Sequence, residues 1–181
     1  MVYVDTSVWM ALLFPEVHSP SVAAWFSSEG RTLVSADWAR VEFESALAFK
    51  RRSGQLPVER ETAVREAFGR IDTGLSPWVP VTRTAMRLAA EMLSVSSARP
   101  GMTGGKLSES GQSATLEILS PSSVPELLSA PYSAAGLRAG DALHMAVARE
   151  MGVREFATVD RVQARAAAVA GLVLTFPDSA D

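Results

Sequence analysis

Residues 1–9 read MVYVDTSVW. An apolar run, Val2, Tyr3 and Val4, stops at the carboxylate of Asp5; Thr6 and Ser7 follow before apolar residues resume at Val8, Trp9, Leu12 and Leu13. The first run has the composition of a buried strand and the second the spacing of a helix. Asp, Thr and Ser open helices, because their side-chain oxygens accept the free N–H groups of the first turn. Asp5 therefore reads as a helix cap. It reads equally as an acid facing a ligand, since open parallel sheets bind ligands outside the carboxyl ends of their strands.

Working outward, strand-like runs are expected at 2–4, 32–34, 78–81, 155–158 and 172–175. Helical patterns fill 7–14, 20–28, 37–53, 57–70, 82–93, 139–151 and 161–170. Strands alternating with helices predict an α/β sandwich around a mostly parallel central sheet. Pro20 and Pro57 sit at first-turn positions, and Gly152 and Gly171 directly follow helices. Residues 94–133 break the pattern: they are rich in Ser, Gly and Pro, with weak apolar periodicity near 116–119 and 124–128. They are expected to form a surface insertion, with one or two short helical turns, in a single domain spanning 1–181.

Composition narrows the chemistry. The 181 residues carry a net charge of −3 and contain no cysteine, which excludes disulfides, zinc–thiolate sites and thiol catalysis. Any metal must be held by oxygen or by the two histidines, His18 and His144. No stretch approaches the ~20 apolar residues of a membrane span, and no basic lead precedes the first apolar run, so a cytoplasmic protein without membrane contact is expected. Mild acidity argues against a surface coated in positive charge for nucleic acid, while leaving room for a local basic stripe.

The acids carry the functional signal. On the helix DWARVEFESALAFKRRS, at about 100° per residue, Trp38, Glu42, Ala46 and Phe49 share one sector. Glu44 lies on the far side with Arg40 and Arg51, where a solvated ion pair would be at home. A glutamate on an apolar stripe must be paired, protonated, bound to a cation, or placed at the core's rim with its head in water. Asp141, in LRAGDALHMAVARE, begins an apolar helix, and Asp160, in FATVDRVQARA, follows a strand and opens another. Each is separately a plausible cap.

Together, Asp5, Glu42, Asp141 and Asp160 can converge at one end of the sheet, and four ionised carboxylates share a small site only when cations neutralise them. Mg²⁺ or Mn²⁺ suits an all-oxygen donor set. Thr6, Ser7 and Thr158 are placed to hydrogen-bond the carboxylates or a water on the metal. Such a cluster can activate a water against a phosphodiester without any protein nucleophile. His144 reads as a packing or orienting residue.

The ordered set VDTSVWMALLFPE, SADWARVEFESALAFKRRSG, LRAGDALHMAVARE and FATVDRVQARAAAVAGL resembles the PIN-domain ribonucleases, above all the VapC-type toxins of type II toxin–antitoxin modules. The resemblance implies a PIN-like three-layer sandwich. It also implies a metal-dependent endoribonuclease with Asp5, Glu42, Asp141 and Asp160 as metal-site acids, supported by Thr6 and Thr158. Its implied partners are RNA, a cognate antitoxin covering the acidic site, and a second copy in a homodimer. The 94–133 segment departs from the family, whose members make this connection short.

Two other readings compete with this one. A haloacid-dehalogenase-like phosphatase needs a second Asp two residues after the first, and Ser7 stands there. A catalytically silent PIN-like module that binds RNA or protein is the alternative retained. Lys50, Arg51 and Arg52 are candidate phosphate contacts, though cations also favour a helix C-terminus. Trp9, Trp25, Trp38 and Trp78 occur within apolar patterns and read as core or dimer surface.

Overall fold

The computed structural model describes residues 1–74, 78–97 and 136–175. Its elements are β1 (Val2–Val4), α1 (Thr6–Leu13), α2 (Ser19–Ser28), β2 (Leu33–Ala36), α3 (Trp38–Arg52), α4 (Val58–Gly74), β3 (Trp78–Val79), α5 (Arg83–Ser97), α6 (Ala139–Glu150), β4 (Glu155–Ala157), α7 (Arg161–Val169) and β5 (Val173–Leu174). The strands form one sheet in the order β3-β2-β1-β4-β5, with every adjacent pair parallel. From the central β1 the chain builds outward through β2 and β3, then returns to lay β4 on the other side. The boundary between β1 and β4 is thus a topological switch point, where parallel sheets open a crevice.

Side chains alternate across each strand. Val2 and Val4 join Val8, Trp9, Phe43, Leu47, Val64 and Phe68 in a core layer under α1–α4, with Phe43 stacked on Phe68. Tyr3 points the other way, joining Val34, Met92, Met145, Ala166 and Phe156 under α5–α7 and stacking on Phe156. Helices therefore cover both faces, which is why every residue of VYV is buried.

Element types follow the sequence reading; some ends move. β2 runs on to Ala36, because the Ser35 hydroxyl donates to the Val4 carbonyl at 2.5 Å and Ala36 pairs with Val79. The expected 78–81 strand narrows to Trp78–Val79. α5 extends to Ser97, so the first residues of the expected insertion are helical, and the expected turns near 116–119 and 124–128 lie outside the described residues. Among the described residues no helix is long and apolar enough to cross a membrane.

Candidate active site at the carboxyl end of the sheet

β1 ends at Asp5, whose N–H continues the ladder by donating to the Ala157 carbonyl at 3.1 Å. Its carboxylate acts as the cap that the sequence suggests and also lines the cleft described below. Oδ1 caps α1, accepting from the Ser7 N–H at 2.9 Å and the Val8 N–H at 3.3 Å, and also takes the Ser7 hydroxyl at 2.6 Å. Oδ2 accepts from Thr158 Oγ1 at 2.8 Å. Ser7 and Thr158 are themselves fixed, because the Val159 N–H donates to Ser7 Oγ and the Asp160 N–H to Thr158 Oγ1, each at 3.0 Å. Only 3 % of Asp5 is exposed. Burial pushes its carboxyl up to about 6, and the nearby His144 together with the hydrogen bonds from Ser7, Thr158 and Val8 offsets only part of that.

Glu42 reaches the same place from α3. Its Oε2 accepts the Thr6 hydroxyl in a short contact and lies 2.7 Å from His144 Nε2. The other ring nitrogen, Nδ1, is 2.8 Å from the Tyr3 hydroxyl, which already accepts the Ala36 N–H. The phenolic proton is satisfied by pointing at Nδ1, which leaves the Nε2 proton for Glu42. Burial raises the Tyr3 phenol well above its ordinary range, so it stays a donor. Burial also raises Glu42, but the hydrogen bonds from His144 and Thr6 outweigh it and hold the carboxyl below its usual range.

The other two acids belong to a looser arrangement. Asp141, in the first turn of α6, accepts the Arg138 N–H at 2.9 Å and Arg138 Nε at 3.2 Å, both on Oδ2. Asp160 caps α7 with Oδ1, at 2.8 Å from the Val162 N and 3.1 Å from the Gln163 N, while its Oδ2 lies 2.7 Å from the Arg138 guanidinium. Arg138 therefore bridges the pair, with 71 % of its side chain exposed.

These side chains line one cleft of about 680 Å³: Asp5, Thr6, Ser7, Glu42, Asp141, His144 and Asp160 on the acidic side, and Met10, Trp38, Ala46, Phe49, Arg52 and Arg138 around it. The predicted acids are brought together. Thr158 backs Asp5 from behind, and Thr6 serves Glu42. Glu44 stays on the far face as expected, but its partner is Arg65 of α4; Arg40 pairs with Asp37 and Asp72. Lys50 pairs with Glu16 and Arg51 with Glu61, so of that basic triplet Arg52 alone lines the cleft. Trp9 is core and Trp78 packs on Phe68, whereas Trp38 walls the cleft.

Tyr3 and Gly140 carry no site signal in the sequence, and Arg138 appears there only as a cation near an element end, its place around the site unreadable. A Cβ on Gly140 would stand 2.2 Å from Glu42 Oε1, so the bare glycine makes room for that carboxylate. The carboxylates suit a hard divalent cation: their donors are all oxygen, with His144 engaged by Glu42 and Tyr3, Asp5 is buried with no ion-pair partner among the described residues, and the Arg138 guanidinium lies between Asp141 and Asp160. Among the described residues, no three of these groups stand close enough together to form a ready metal cage.

A family model of the PIN domain matches residues 2–169. Among solved structures, the chain is similar to VapC20 of Mycobacterium tuberculosis, described as a sarcin–ricin loop cleaving toxin, with a TM-score of 0.51, 18 % identity and coverage of 86 % of this chain and 87 % of that one. It is also similar to FitAcB of Neisseria gonorrhoeae, with a TM-score of 0.61, 15 % identity and 96 % coverage of both chains. No functionally curated protein sequence matches the chain. With its all-parallel sheet between two helical layers and the family match over most of its length, the chain belongs to the PIN-domain family.

Proposed function

We propose that the protein is a divalent-metal-dependent endoribonuclease, the toxin of a toxin–antitoxin module, acting in the cytoplasm as a homodimer and silenced by a cognate antitoxin. The observation that carries this reading is the convergence of Asp5, Glu42, Asp141 and Asp160 on one cleft at the carboxyl end of β1 and β4. Membership of the PIN family supports a nuclease, and the sarcin–ricin loop cleaving activity named for VapC20 supports RNA as the substrate.

In this reading Asp5, Asp141 and Asp160, with Glu42, would hold Mg²⁺ or Mn²⁺. Such an ion, when bound, neutralises phosphate charge and makes water acidic enough to attack at neutral pH. The chain's own residues do the rest. Ser7 and Thr158 fix both oxygens of Asp5, so it cannot rotate away from the cleft. Thr6 and His144 both take Glu42 Oε2, so Oε1 faces Gly140 and the cleft, ionised and able to accept a proton from a water there. Arg138 holds Asp141 and Asp160 in place, so a metal at these acids would compete with its guanidinium for their oxygens.

One observation favours a second reading, a silent module that binds RNA or protein: Asp141 and Asp160 already share a cationic partner, Arg138, without any ion. Incubating the purified protein with structured RNA in Mg²⁺ or Mn²⁺, and sequencing the resulting ends beside an Asp5→Ala control, separates the two. Cleavage that EDTA and Asp5→Ala both abolish supports the nuclease; growth inhibition unchanged by Asp5→Ala or Asp141→Asn supports the silent module.

A further inference from the structure

We propose that the cleft-facing stripe of α3 is a track for single-stranded RNA, in which Phe49 stacks an unpaired base and Arg52 holds the neighbouring phosphate. The proposal rests on the nuclease reading for its substrate, and on the following geometry for its content. Glu42, Ser45, Ala46, Phe49 and Arg52 recur at helical spacing and all line the cleft. At about 1.5 Å rise per residue, Phe49 stands roughly 10 Å along the axis from Glu42, and Arg52 about 15 Å. Those are steps of nucleotide size leading away from the acids.

Among the described residues Phe49 belongs to neither core layer. It is 58 % exposed, while Phe43 on the same helix is 1 % exposed and stacked on Phe68. Arg52 is exposed and makes no ion pair among the described residues, unlike its neighbours Lys50 and Arg51. The remaining cation of the cleft lining, Arg138, is committed to Asp141 and Asp160. A cleft rich in carboxylates repels RNA, so a strand entering it must be held from the side by cation and ring. An aromatic face can take only a base that has left its stack, which selects loops and single strands over duplex. Continuity with the acids, together with the unpaired guanidinium, favours a polyanion with flat bases over an apolar peptide anchor.

The test uses the full chain carrying Asp5→Ala, so that binding is measured without cleavage, and fluorescence anisotropy of a labelled single-stranded RNA of mixed sequence beside the same strand annealed to its complement. Phe49→Ala should weaken single-strand binding about tenfold, Phe49→Trp should restore it, and the duplex should bind less tightly and ignore the change. Arg52→Ala should flatten the salt dependence by about 0.7 in log–log slope, and Arg52→Lys should keep it. Thermal melts of each variant confirm that the fold persists. Unchanged affinity in Phe49→Ala, an equal loss for duplex and single strand, or a loss confined to a bound antitoxin overturns the track. Metal-dependent cleavage by the otherwise wild-type chain is scored separately: its absence removes the nuclease reading, while its persistence in Phe49→Ala at unchanged KM removes only the track.

Discussion

The two sides of the acidic cleft are built on different principles. Asp5 and Glu42 are held by side-chain donors packed into the fold, Ser7, Thr158, Thr6 and the Tyr3–His144 pair, so their geometry is set before anything binds. Asp141 and Asp160 are balanced by one exposed guanidinium. Neutral hydrogen bonds fix position but leave charge in place, whereas a mobile cation cancels charge and can be exchanged. The first side supplies aim, and the second supplies a place where one positive group can replace another.

The largest effect expected from breaking this contrast is at Asp5. Asp5→Ala should lower RNA cleavage by about 10³-fold or more, equivalent to roughly 4 kcal/mol of transition-state stabilisation, as read by single-turnover kinetics in Mn²⁺. Glu42→Ala should cost about 10²-fold in the same assay, the range for a lost proton acceptor. Glu44→Ala, on the opposite face, should keep full activity, because it loses only an exposed pair with Arg65. The reverse result would refute the helix-face assignment.

A pH titration of stability sharpens the same contrast. Asp5 titrates near 6 in the native protein and near 4 when unfolded. Between those values the native state holds more protons, so the metal-free protein should lose stability as pH rises from about 4 to 6 and level off above, by on the order of 3 kcal/mol. Urea melts in EDTA should show that slope, and Asp5→Asn should remove it. Gly140→Ala offers a smaller, cleaner split. The new methyl meets side-chain ends alone, the carboxylate of Glu42 and, at 3.2 Å, Trp38 Nε1, so melting temperature should change little with the better helix former, while cleavage falls about tenfold. Smallest of all, Arg138→Ala should tighten Mn²⁺ binding a few-fold by calorimetry, since an exposed ion pair is a weak competitor.

Much of this was legible in the chain. Asp5 and Asp160 announce themselves because apolar strands stop at them, and Glu42 because its angle on α3 coincides with Trp38 and Phe49. The same projection puts Arg51 opposite Glu42, and the structure agrees by pairing it with Glu61. Tyr3 was hidden because a strand buried on both faces shows no polar alternation: VYV looks uniform while Tyr3 and its neighbours face different layers. Gly140 and Arg138 were hidden for another reason. Their roles exist only relative to Glu42 and Asp160, and no local pattern states how close two helices will pass. Asp5 caps α1 and lines the cleft together, so capping does not remove a carboxylate from a candidate site.

The strand order carries a consequence for how the protein is made. Because β4 inserts beside β1, the cleft draws on residues from Asp5 to Asp160, and an N-terminal portion emerging from the ribosome has Asp5 and Glu42 but neither His144 to orient the glutamate nor the two later aspartates. Under the proposed nuclease reading, a nascent chain would therefore lack an assembled cleft until α6 and β4 dock.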